Sequence, residues 1–539
     1  MKSKYTEQRY TVTGVSLPIR ASKDEVFGIA EKSFLKFFSK DEIKNIKISK
    51  RSVDARNKSD IKFVYNVSAV IRSSKNYSEE RLKSHGITVD RRAEIKPVAG
   101  SESLSARPVV VGFGPCGMFC AYYLATYGYR PIVIERGSDT LKRSADVYNF
   151  KTHQILNTES NIQFGAGGAG TFSDGKLMTR INDPFCAEVI DTFHKFGAPD
   201  DILLEAKPHI GTDHLCGVVD RMRDEIISLG GEIFFDTKLT GVEQHLGKVT
   251  KIFTTNGEFN CGALVLAIGH SARDTVKMLQ SCGIDMTAKP FSVGARIEHL
   301  QKDIDYAMFG KESDSGILPH AEYAISAHIG QRGVYTFCMC PGGEVAAAAS
   351  EEFGIVTNGM SNHARNGKNA NSAVCVSVLP EDFGGSIDGA MNFVRNIEQA
   401  AYKAAANTYF APAQTVGSFL GKTSKNEITS VVPTYMNGKV SMVSLDRVLP
   451  EFVSSSLKGG IAALEKKIRG FSANEAVLTA PETRTSSPVR IVRSETFLSI
   501  GFENIYPCGE GAGYAGGITS AAVDGIKCAI KIIERYKAN

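Results

Sequence analysis

The most constraining feature of the sequence is a short apolar run that leads directly into spaced glycines. Residues 109–111 are all valine, which is typical of a fully buried parallel strand. Gly112, Gly114 and Gly117 follow with the spacing G-x-G-x-x-G, and a helical pattern begins at once. The first glycine permits the tight turn, the second lets the backbone approach a phosphate, and the third lets helix and strand pack closely. The free N–H groups of the helix favour an anion. The segment therefore predicts a dinucleotide-binding βαβ unit.

A second predicted strand, residues 130–134, ends in Glu135, which lies 21 residues after Gly114. A carboxylate at this position accepts hydrogen bonds from ribose hydroxyl groups. It also argues against NADP, because it would repel the 2′-phosphate. NAD and FAD both stay open on this segment alone.

Two further glycine clusters bear on that choice. Residues 165–170 repeat the spacing, but no buried strand precedes them and no helix follows, so they predict a loop suited to a phosphate or a flat ring. A flexible surface loop is the alternative interpretation. Residues 505–517 read as a strand, an acid at Glu510 and a glycine-rich turn before a last helix. Only 22 residues follow Gly517, too few for another βαβ unit, so this segment predicts the second half of a two-part FAD site.

These segments resemble those of two-dinucleotide-binding-domain flavoproteins with the glutathione-reductase-type FAD fold. Within that group the chain resembles the uncharacterised FAD-dependent dehydrogenases of bacteria. The matching segments are residues 109–117, 161–177, 208–213, 263–270, 337–343, 483–490 and 506–518. The resemblance implies FAD as cofactor, a backbone contact of Val242 with the adenine, and a Glu510 contact with the ribityl chain that is one methylene longer than the usual Asp. The predicted FAD contacts are Gly112, Gly114, Pro115, Cys116, Gly117, Glu135, Arg136, Arg143, Gly167, Gly168, Ala169, Gly170, Thr171, Val242, Ala267, Gly269, Gly509, Glu510, Gly513, Gly516, Gly517 and Ile518.

The sequence contains one complete fingerprint, so a second Rossmann domain for NAD(P)H is not predicted. NAD(P)H stays open as an electron donor. A flavin carries out the redox chemistry itself, and the protein supplies position and charge around the ring.

Three residues near the matching segments are candidates for catalysis. His270 follows a strand expected to end at the cofactor and could donate to flavin or substrate; a capping histidine is the alternative. Arg484 precedes the return to the FAD fold and could hold an anionic substrate; a structural ion pair is the alternative. Arg296 alternates with Glu298 on a predicted strand, where both could simply pair with neighbours. Further polar residues in or beside these segments are His209, Asp213, Arg273 and Glu482.

The pair Cys338 and Cys340 alternates on a predicted strand, which directs both thiols to one face. A redox pair or a soft-metal site is one interpretation. However, the C-x-x-C of flavin disulfide reductases is absent, and a lone C-x-C is weak evidence for zinc. Buried structural thiols are the favoured interpretation, and no metal is predicted. Cys116 and Cys508 fall in the glycine-rich turns, where a small residue is needed.

The charge is distributed unevenly. Residues 1–107, here called the head, contain 23 Lys and Arg and 13 Asp and Glu, whereas the other residues have a net charge of −5. The head reads as a small α+β unit, with a capping box at Ser22 and Glu25 and strands over 9–15, 45–53 and 61–71. Its phenylalanines have core spacing rather than that of a stacking platform. A solvated basic face is therefore favoured over RNA binding.

The predicted fold class is α/β, with a doubly wound FAD-binding domain split by an inserted α+β substrate domain. The expected boundaries are 1–100 for the basic α+β domain, 108–290 and 485–539 for the FAD-binding domain, and 291–484 for the insertion. Residues 97–107 are expected to be a linker, and residues 357–372 a polar loop. No apolar run is long enough for a bilayer, and no apolar signal stretch is visible, so the cytoplasm is the expected compartment.

Three functions remain open. The first is an FAD-dependent dehydrogenase that acts on a small molecule by hydride transfer. The second is an FAD-dependent RNA-modifying or RNA-associated protein, with the head as its binding module. The third is a flavin-binding regulatory protein without turnover.

Overall fold

The computed structural model describes residues 6–75, 77–90 and 96–538. Residues 1–5, on which the expectation about a secretory signal partly rests, lie outside this range. None of the described helices has the length and apolar composition that a bilayer crossing requires.

The head contains a four-stranded antiparallel sheet covered on one face by a helix. Its elements are β1 (Thr6–Pro18), α1 (Lys23–Phe34), β2 (Ile43–Asp54), β3 (Lys62–Ser73), α2 (Glu79–Lys83) and β4 (Ile87–Val89), and the sheet order is β2-β3-β1-β4. The predicted capping box begins α1: Ser22 Oγ accepts from the Glu25 N–H, and the Ser22 N–H donates to the Glu25 carboxylate at 2.7 Å. The helix buries Val26, Ala30 and Phe34.

A five-stranded parallel sheet forms the centre of the next region. Its elements, in chain order, are β5 (Glu102–Ser103), β6 (Pro108–Val111), α3 (Pro115–Thr126), β7 (Ile132–Ile134), α4 (Thr140–His153), α5 (Phe185–Lys195), α6 (Thr212–Ser228), β8 (Glu232–Phe234), β9 (Leu239–His245), β10 (Lys248–Thr254), β11 (Gly257–Asn260), β12 (Ala263–Leu266), α7 (Arg273–Ser281) and β13 (Met286–Ala288). Alternate residues of β6 enter different cores: Val110 packs with α3 and α6, and Val109 with β9–β11 and α7. Burial on both faces explains why the strand is apolar throughout.

A seven-stranded sheet follows in the chain. Its region comprises β14 (Phe291–Leu300), α8 (Gln301–Phe309), β15 (Ser326–Ile329), β16 (Arg332–Cys340), β17 (Glu344–Ala347), β18 (Thr357–Met360), β19 (Asn369–Val378), α9 (Ile387–Ala404), β20 (Pro412–Thr415), α10 (Val416–Phe419), β21 (Ser441–Met442), α11 (Glu451–Leu464) and β22 (Val477–Glu482). The sheet order is β15-β16-β19-β14-β22-β20-β21. Its centre, β14 and β19, is almost completely buried.

The chain then returns to the parallel sheet with β23 (Val489–Ile491), β24 (Ile505–Pro507), α12 (Ile518–Arg535) and β25 (Tyr536–Lys537). The strand β24 pairs in parallel with β12, which gives the order β24-β12-β6-β7-β8. The carboxyl ends of these parallel strands form one edge, where α/β proteins bind ligands. The predicted α/β class is confirmed, whereas the proposed domain boundaries stay a prediction.

The structure adds strands to two segments that the sequence predicted as a loop and a linker. Residues 357–372 are not a single loop, because β18 begins at Thr357 and β19 at Asn369. The expected linker, residues 97–107, contains β5, which pairs in parallel with β25. The small polar residues of this segment do not indicate a strand, and their pairing partner lies more than 400 positions away in the sequence.

The head packs directly on the other regions. Arg20 donates to Glu312 at 3.0 Å, Arg51 pairs with Glu205, and Lys58 Nζ donates to the Ala307 carbonyl at 2.5 Å. Head residues and residues of the seven-stranded sheet also share one hydrophobic core. Some of the basic side chains of the head therefore serve internal packing.

Candidate functional site

A cavity of about 320 Å³ lies at the carboxyl ends of the parallel strands. It extends from the ends of β6, β7 and β12 to residues of the seven-stranded sheet region. The predicted FAD contacts that line it are Gly112, Gly114, Pro115, Cys116, Glu135, Arg136, Gly168, Ala169, Gly170, Ala267, Gly269, Glu510, Gly516, Gly517 and Ile518. Three separate sequence segments thus meet around one cavity.

The fingerprint glycines are required by close backbone approaches. Gly112 has φ +102°, and a Cβ built there would lie 2.3 Å from the Ala267 carbonyl oxygen. A Cβ on Gly117 would lie 1.9 Å from the Gly112 carbonyl oxygen, so this glycine permits packing of α3 and does not line the cavity. Gly114 is the N-cap of α3 and touches Gly168, whose Cβ would lie 2.8 Å from the Gly114 Cα. The two glycine-rich turns therefore pack against each other.

Glu135 connects these turns. Its buried carboxylate accepts hydrogen bonds from the backbone N–H groups of Phe113, Gly137 and Gly165, at 2.8–2.9 Å. A carboxylate has about four lone-pair positions, so one stays available to a hydroxyl group in the cavity. The neighbouring Arg136 is held by Glu159 and Asp274 and lies over the Phe164 ring.

Arg143, predicted as an FAD contact, lies behind the cavity rather than in its lining. Its fully buried guanidinium donates to the carbonyl oxygens of Asn161, Ile162, Ala166 and Gly168, at 2.5–2.9 Å. Burial lowers the pKa of Arg143 to about 10, so the group stays charged at neutral pH. Arg143 therefore fixes the glycine-rich loop and brings a positive charge behind it.

Five other predicted contacts also lie outside the cavity lining. Gly167 and Thr171 shape the same loop, since Thr171 Oγ1 donates to the Ala166 carbonyl at 3.1 Å. Gly509 packs on Cys116, and Gly513 lines a neighbouring cavity instead. Val242 lies further along β9, and the lining at this end comes from Thr237, Lys238 and Leu239, so its backbone contact with the adenine stays a prediction. The strand β9 begins at the cavity with Leu239 and then runs away from it.

His270 faces the cavity, and its side chain is 7% exposed. Its Nδ1 lies 3.6 Å from a carboxylate oxygen of Glu510, and its buried Nε2 has no hydrogen-bond partner in the described structure. A buried nitrogen without a partner is costly. A ligand atom in the cavity would satisfy it.

Arg484 lines the cavity but is not a free anion clamp. Burial and the neighbouring Arg273 lower its pKa, and its guanidinium donates to Glu398 at 2.8 and 3.1 Å. Arg273 donates to the same carboxylate at 2.9 Å. The structural ion pair, one of the two interpretations of Arg484, is therefore present.

Arg296 lies completely buried, outside the cavity lining, and forms two hydrogen bonds with Glu482, at 3.0 and 3.1 Å. It also donates to the Cys338 carbonyl at 2.7 Å and to Asn358 at 3.1 Å, and both of these residues line the cavity. Glu298, its neighbour on β14, accepts instead from Asn369 and Thr434. The structure shows Arg296 supporting the cavity wall, and a direct catalytic role for it stays a prediction.

The two cysteines near the end of β16 differ in environment. Cys338 lines the cavity, has φ +45° and lies where the β16–β19 register shifts. A hydrogen bond from Cys340, together with Arg296 and Lys176, lowers the pKa of Cys338 to about 6 against the effect of burial. Contact with Cys338 and burial raise the pKa of Cys340. No cluster of three or more metal-binding side chains occurs among the described residues.

A network of charged residues at the same end was not predicted. Asp174 accepts from Arg365 at 2.6 and 3.1 Å and lies 2.9 Å from Lys176 Nζ. Burial raises the pKa of Asp174, but Lys176 and Arg365 outweigh it, so the group is ionised. Glu322 pairs with the same Arg365. Asp174 and Lys176 follow the glycine-rich residues 165–170 in the sequence, but only the fold brings Arg365 close to them.

The two remaining polar candidates lie beside this network. His209 Nε2 is 3.0 Å from the His363 carbonyl oxygen, and burial followed by Arg365 lowers its pKa. Asp213 accepts from the His363 N–H at 2.8 Å. Neither residue lines the cavity.

The cavity has features that fit FAD. Two helices, α3 and α12, begin at it, and neither has an acidic residue in its first described turn. Their N-terminal N–H groups suit phosphate oxygens and the electron-rich edge of a ring. A Cβ on Gly516 or Gly517 would meet no atom closer than 4.0 Å, so space is open beside α12. The unpartnered His270 Nε2 adds one polar group that a ligand would satisfy.

One of two family matches agrees with this fit. Residues 290–485 match the family described as FAD-dependent protein, C-terminal domain-like, and residues 17–70 match a domain of unknown function, DUF8436. Among solved structures, L-amino acid deaminase from Proteus vulgaris is 11% identical, with 83% of this chain and 98% of that chain covered and a TM-score of 0.33. CtdE in complex with FAD is 10% identical, with coverages of 80% and 84% and a TM-score of 0.32. Likeness at these scores does not assign a function.

FAD is the cofactor. The family match is to a domain of FAD-dependent proteins, and the glycines, helix N-termini and carboxylate around the cavity suit FAD. The chain is also 47% identical over 524 residues to an uncharacterised protein of Clostridium beijerinckii. The aligned residues cover 96% of this chain and 98% of the other. At this identity over nearly the full length of both, the chain belongs to the family of the Clostridium beijerinckii protein.

Proposed function

We propose that the chain is an FAD-dependent oxidoreductase of the dehydrogenase type, acting on a small molecule. The observation that carries the proposal is the continuity of the cavity. Gly114 and Glu135 line one end, whereas Phe337, Cys338 and Asn358, from the seven-stranded sheet region, line the other. Bound FAD supplies hydride transfer, and the protein supplies position and charge.

The residues at the first end suit the adenosine and diphosphate part of FAD. Gly112 and Gly114 leave room for phosphate oxygens at the start of α3, and Glu135 can accept from a ribose hydroxyl group. Arg143 keeps the loop at residues 165–170 in place behind them. This division leaves the opposite end of the cavity for the flavin ring.

The residues at the opposite end suit a ring that gains negative charge on reduction. Lys176 Nζ and the N-terminus of α12 both face this end and are positive. Burial lowers the pKa of Lys176, but Asp174 and Glu322 outweigh this effect and raise it, so its proton is retained. His270 Nε2 is a buried polar atom at the cavity wall that can form a hydrogen bond with the ligand.

The head does not favour the RNA-associated alternative. Arg20, Arg51 and Lys58 contact other parts of the chain, so they are not free for phosphates of a nucleic acid.

A redox experiment distinguishes the proposed oxidoreductase from the non-catalytic flavin-binding alternative. The protein is purified as expressed, its flavin is released and identified, and the holoprotein is titrated anaerobically with NADH, NADPH and dithionite.

We expect near-stoichiometric FAD and a flavin that is reduced reversibly. Slow reoxidation of the reduced protein by air supports a dehydrogenase, and rapid reoxidation supports an oxidase instead. A colourless protein that does not take up added FAD overturns the proposal. A flavin that no reductant reaches supports the regulatory alternative.

A matched pair of variants tests the assigned cavity. Gly516→Leu places a side chain in open space beside α12, whereas Gly28→Leu adds the same group on α1, also without a neighbour within 4 Å. Occupying the cavity costs binding because protein and ligand then overlap, so the FAD dissociation constant of Gly516→Leu should rise by roughly tenfold or more. Gly28→Leu should bind FAD as the unmodified protein does.

A further inference from the structure

A second cavity, of about 830 Å³, adjoins the first. The two cavities share Met178, Phe337, Thr485, Gly516 and Gly517 as lining residues. All five belong to the end of the first cavity that is left for the flavin ring. A molecule in the second cavity would therefore touch that end, and the volume is within the range of small-molecule sites.

The charges around the second cavity have one sign. Arg180 and Lys289 line it, and no aspartate or glutamate occurs among its described lining residues. The first cavity differs, since Glu135, Asp174 and Glu510 contribute to its wall. A positive wall of this kind attracts anions and disfavours cations.

Arg180 and Lys289 have no ion-pair partner among the described residues. Across residues 6–75, 77–90 and 96–538, neither Arg180 nor Lys289 forms an ion pair within 4.0 Å. Burial and the neighbouring Arg490 lower the pKa of Lys289, although Glu510 acts in the opposite direction. An anion placed here would relieve this repulsion.

The N-terminus of α12 adds to the same field. The helix has 18 residues, and its N-cap Gly517, with Thr519 and Ser520 of its first turn, lines the second cavity. The positive end of the helix dipole therefore opens towards it. Apolar surface is also present, from Met178, Phe337 and Tyr335.

We propose that the second cavity binds the substrate, and that the substrate is a small organic anion with an apolar body. Arg180 and Lys289 hold its acidic group, and Phe337 and Met178 pack against the remainder near the flavin end. This inference rests on the proposed oxidoreductase function, because it requires a redox centre in the first cavity. It names the chemical class on which that centre acts.

The test uses three probes of similar size and different charge: benzoate, benzamide and benzylamine. Each is titrated into the FAD-loaded protein, and binding is followed by the flavin absorption spectrum and by calorimetry. We expect benzoate to bind most tightly and benzylamine most weakly. Equal affinity for the three, a preference for benzylamine, or failure of all three to bind at millimolar concentration overturns the inference.

Variants assign the preference to the cavity. Arg180→Gln and Lys289→Gln should each weaken benzoate binding by roughly tenfold, the loss expected for one charge-assisted hydrogen bond. Benzamide binding should change little. Arg447→Gln and Lys302→Gln remove exposed cations that line neither cavity, so benzoate should bind to them normally. Unchanged benzoate binding by the first two variants contradicts the inference.

The same samples separate the two proposals. The FAD content of every variant is measured first, since Arg180 and Lys289 do not line the FAD cavity and their loss should leave the cofactor bound. A protein without FAD contradicts the proposed function. A protein with reducible FAD and no preference for anions contradicts only the assignment of the second cavity.

Discussion

His270 and Glu510 both line the cavity, with His270 Nδ1 at 3.6 Å from the Glu510 carboxylate and Nε2 without a partner among the described residues. Nε2 is therefore the ring nitrogen whose missing hydrogen bond a ligand in the cavity would supply. This relationship joins the turn after β12 to the turn after β24, two neighbours in the parallel sheet.

Replacing His270 should weaken FAD binding. His270→Phe keeps a ring of similar size but removes Nε2, and loss of one buried hydrogen bond corresponds to roughly a tenfold increase in the dissociation constant. The measurement is fluorescence titration of the apoprotein with FAD. His245→Phe, at the exposed last residue of β9, is the matched control. Equal affinities for both variants would show that Nε2 makes no contact with FAD.

Glu398 should make stability depend on acid pH. Burial raises its pKa, but Arg273 and Arg484 outweigh this and lower it to about 2 from the usual 4.5. The ionised group therefore stabilises the fold fully above pH 4.5, and this stability is lost as the pH falls towards 2. A shift of this size corresponds to about 3 kcal/mol.

Chemical unfolding of Glu398→Gln at pH 7 and at pH 3 measures that contribution. The variant should lose about 3–5 kcal/mol at pH 7, because two arginines lose their buried counter-ion. Its free energy of unfolding should then fall less between pH 7 and pH 3 than that of the unmodified protein. The exposed Glu352→Gln serves as control. Parallel pH profiles for the unmodified protein and Glu398→Gln would contradict the assignment.

Cys338 should be the most reactive thiol of the apoprotein. Its pKa of about 6 gives a thiolate at neutral pH, and it lines the FAD cavity. Alkylation by iodoacetamide, located by mass spectrometry, should therefore reach its half-maximal rate near pH 6. Cys216 provides the internal comparison, because burial raises its pKa. Bound FAD should protect Cys338, and equal labelling with and without FAD would place the thiol away from the cofactor.

Local sequence predicted the parts of the site whose geometry is local. The glycine spacing at Gly112 and Gly114 depends on a turn of six residues, so the fingerprint could be identified without a structure. The position of β12 before Ala267 and Gly269 was accessible in the same way, because a buried strand of that type ends at the ligand edge.

Long-range partners were not accessible. Arg143 was expected to touch FAD, but it meets the carbonyl oxygens of residues 161–168, which no spacing rule predicts. Asp174 and Arg365 are 191 positions apart, and only the packing of two sheet regions brings them together. Arg180 and Lys289 belong to no recognisable sequence motif, so the cavity that they share could be identified only from the structure.

The basic charge of the head is explained in part by an exposed sheet edge. The strand β2 lies at one edge of the head sheet, and Lys44, Lys47 and Lys50 are exposed along it. Lysines on an edge strand prevent pairing with other chains. On this interpretation any charge protects the edge, whereas an RNA interface requires positive charge.

Two triple variants separate these explanations. Replacing Lys44, Lys47 and Lys50 by Thr should increase aggregation, because the edge is then uncharged and rich in β-forming residues. Replacing the same three by Glu should leave the protein monodisperse, since like charges still repel a second edge. Light scattering of the FAD-loaded proteins measures both. If both variants stay soluble and both lose a salt-sensitive retention on RNA that the unmodified protein shows, the lysines form a nucleic-acid interface instead.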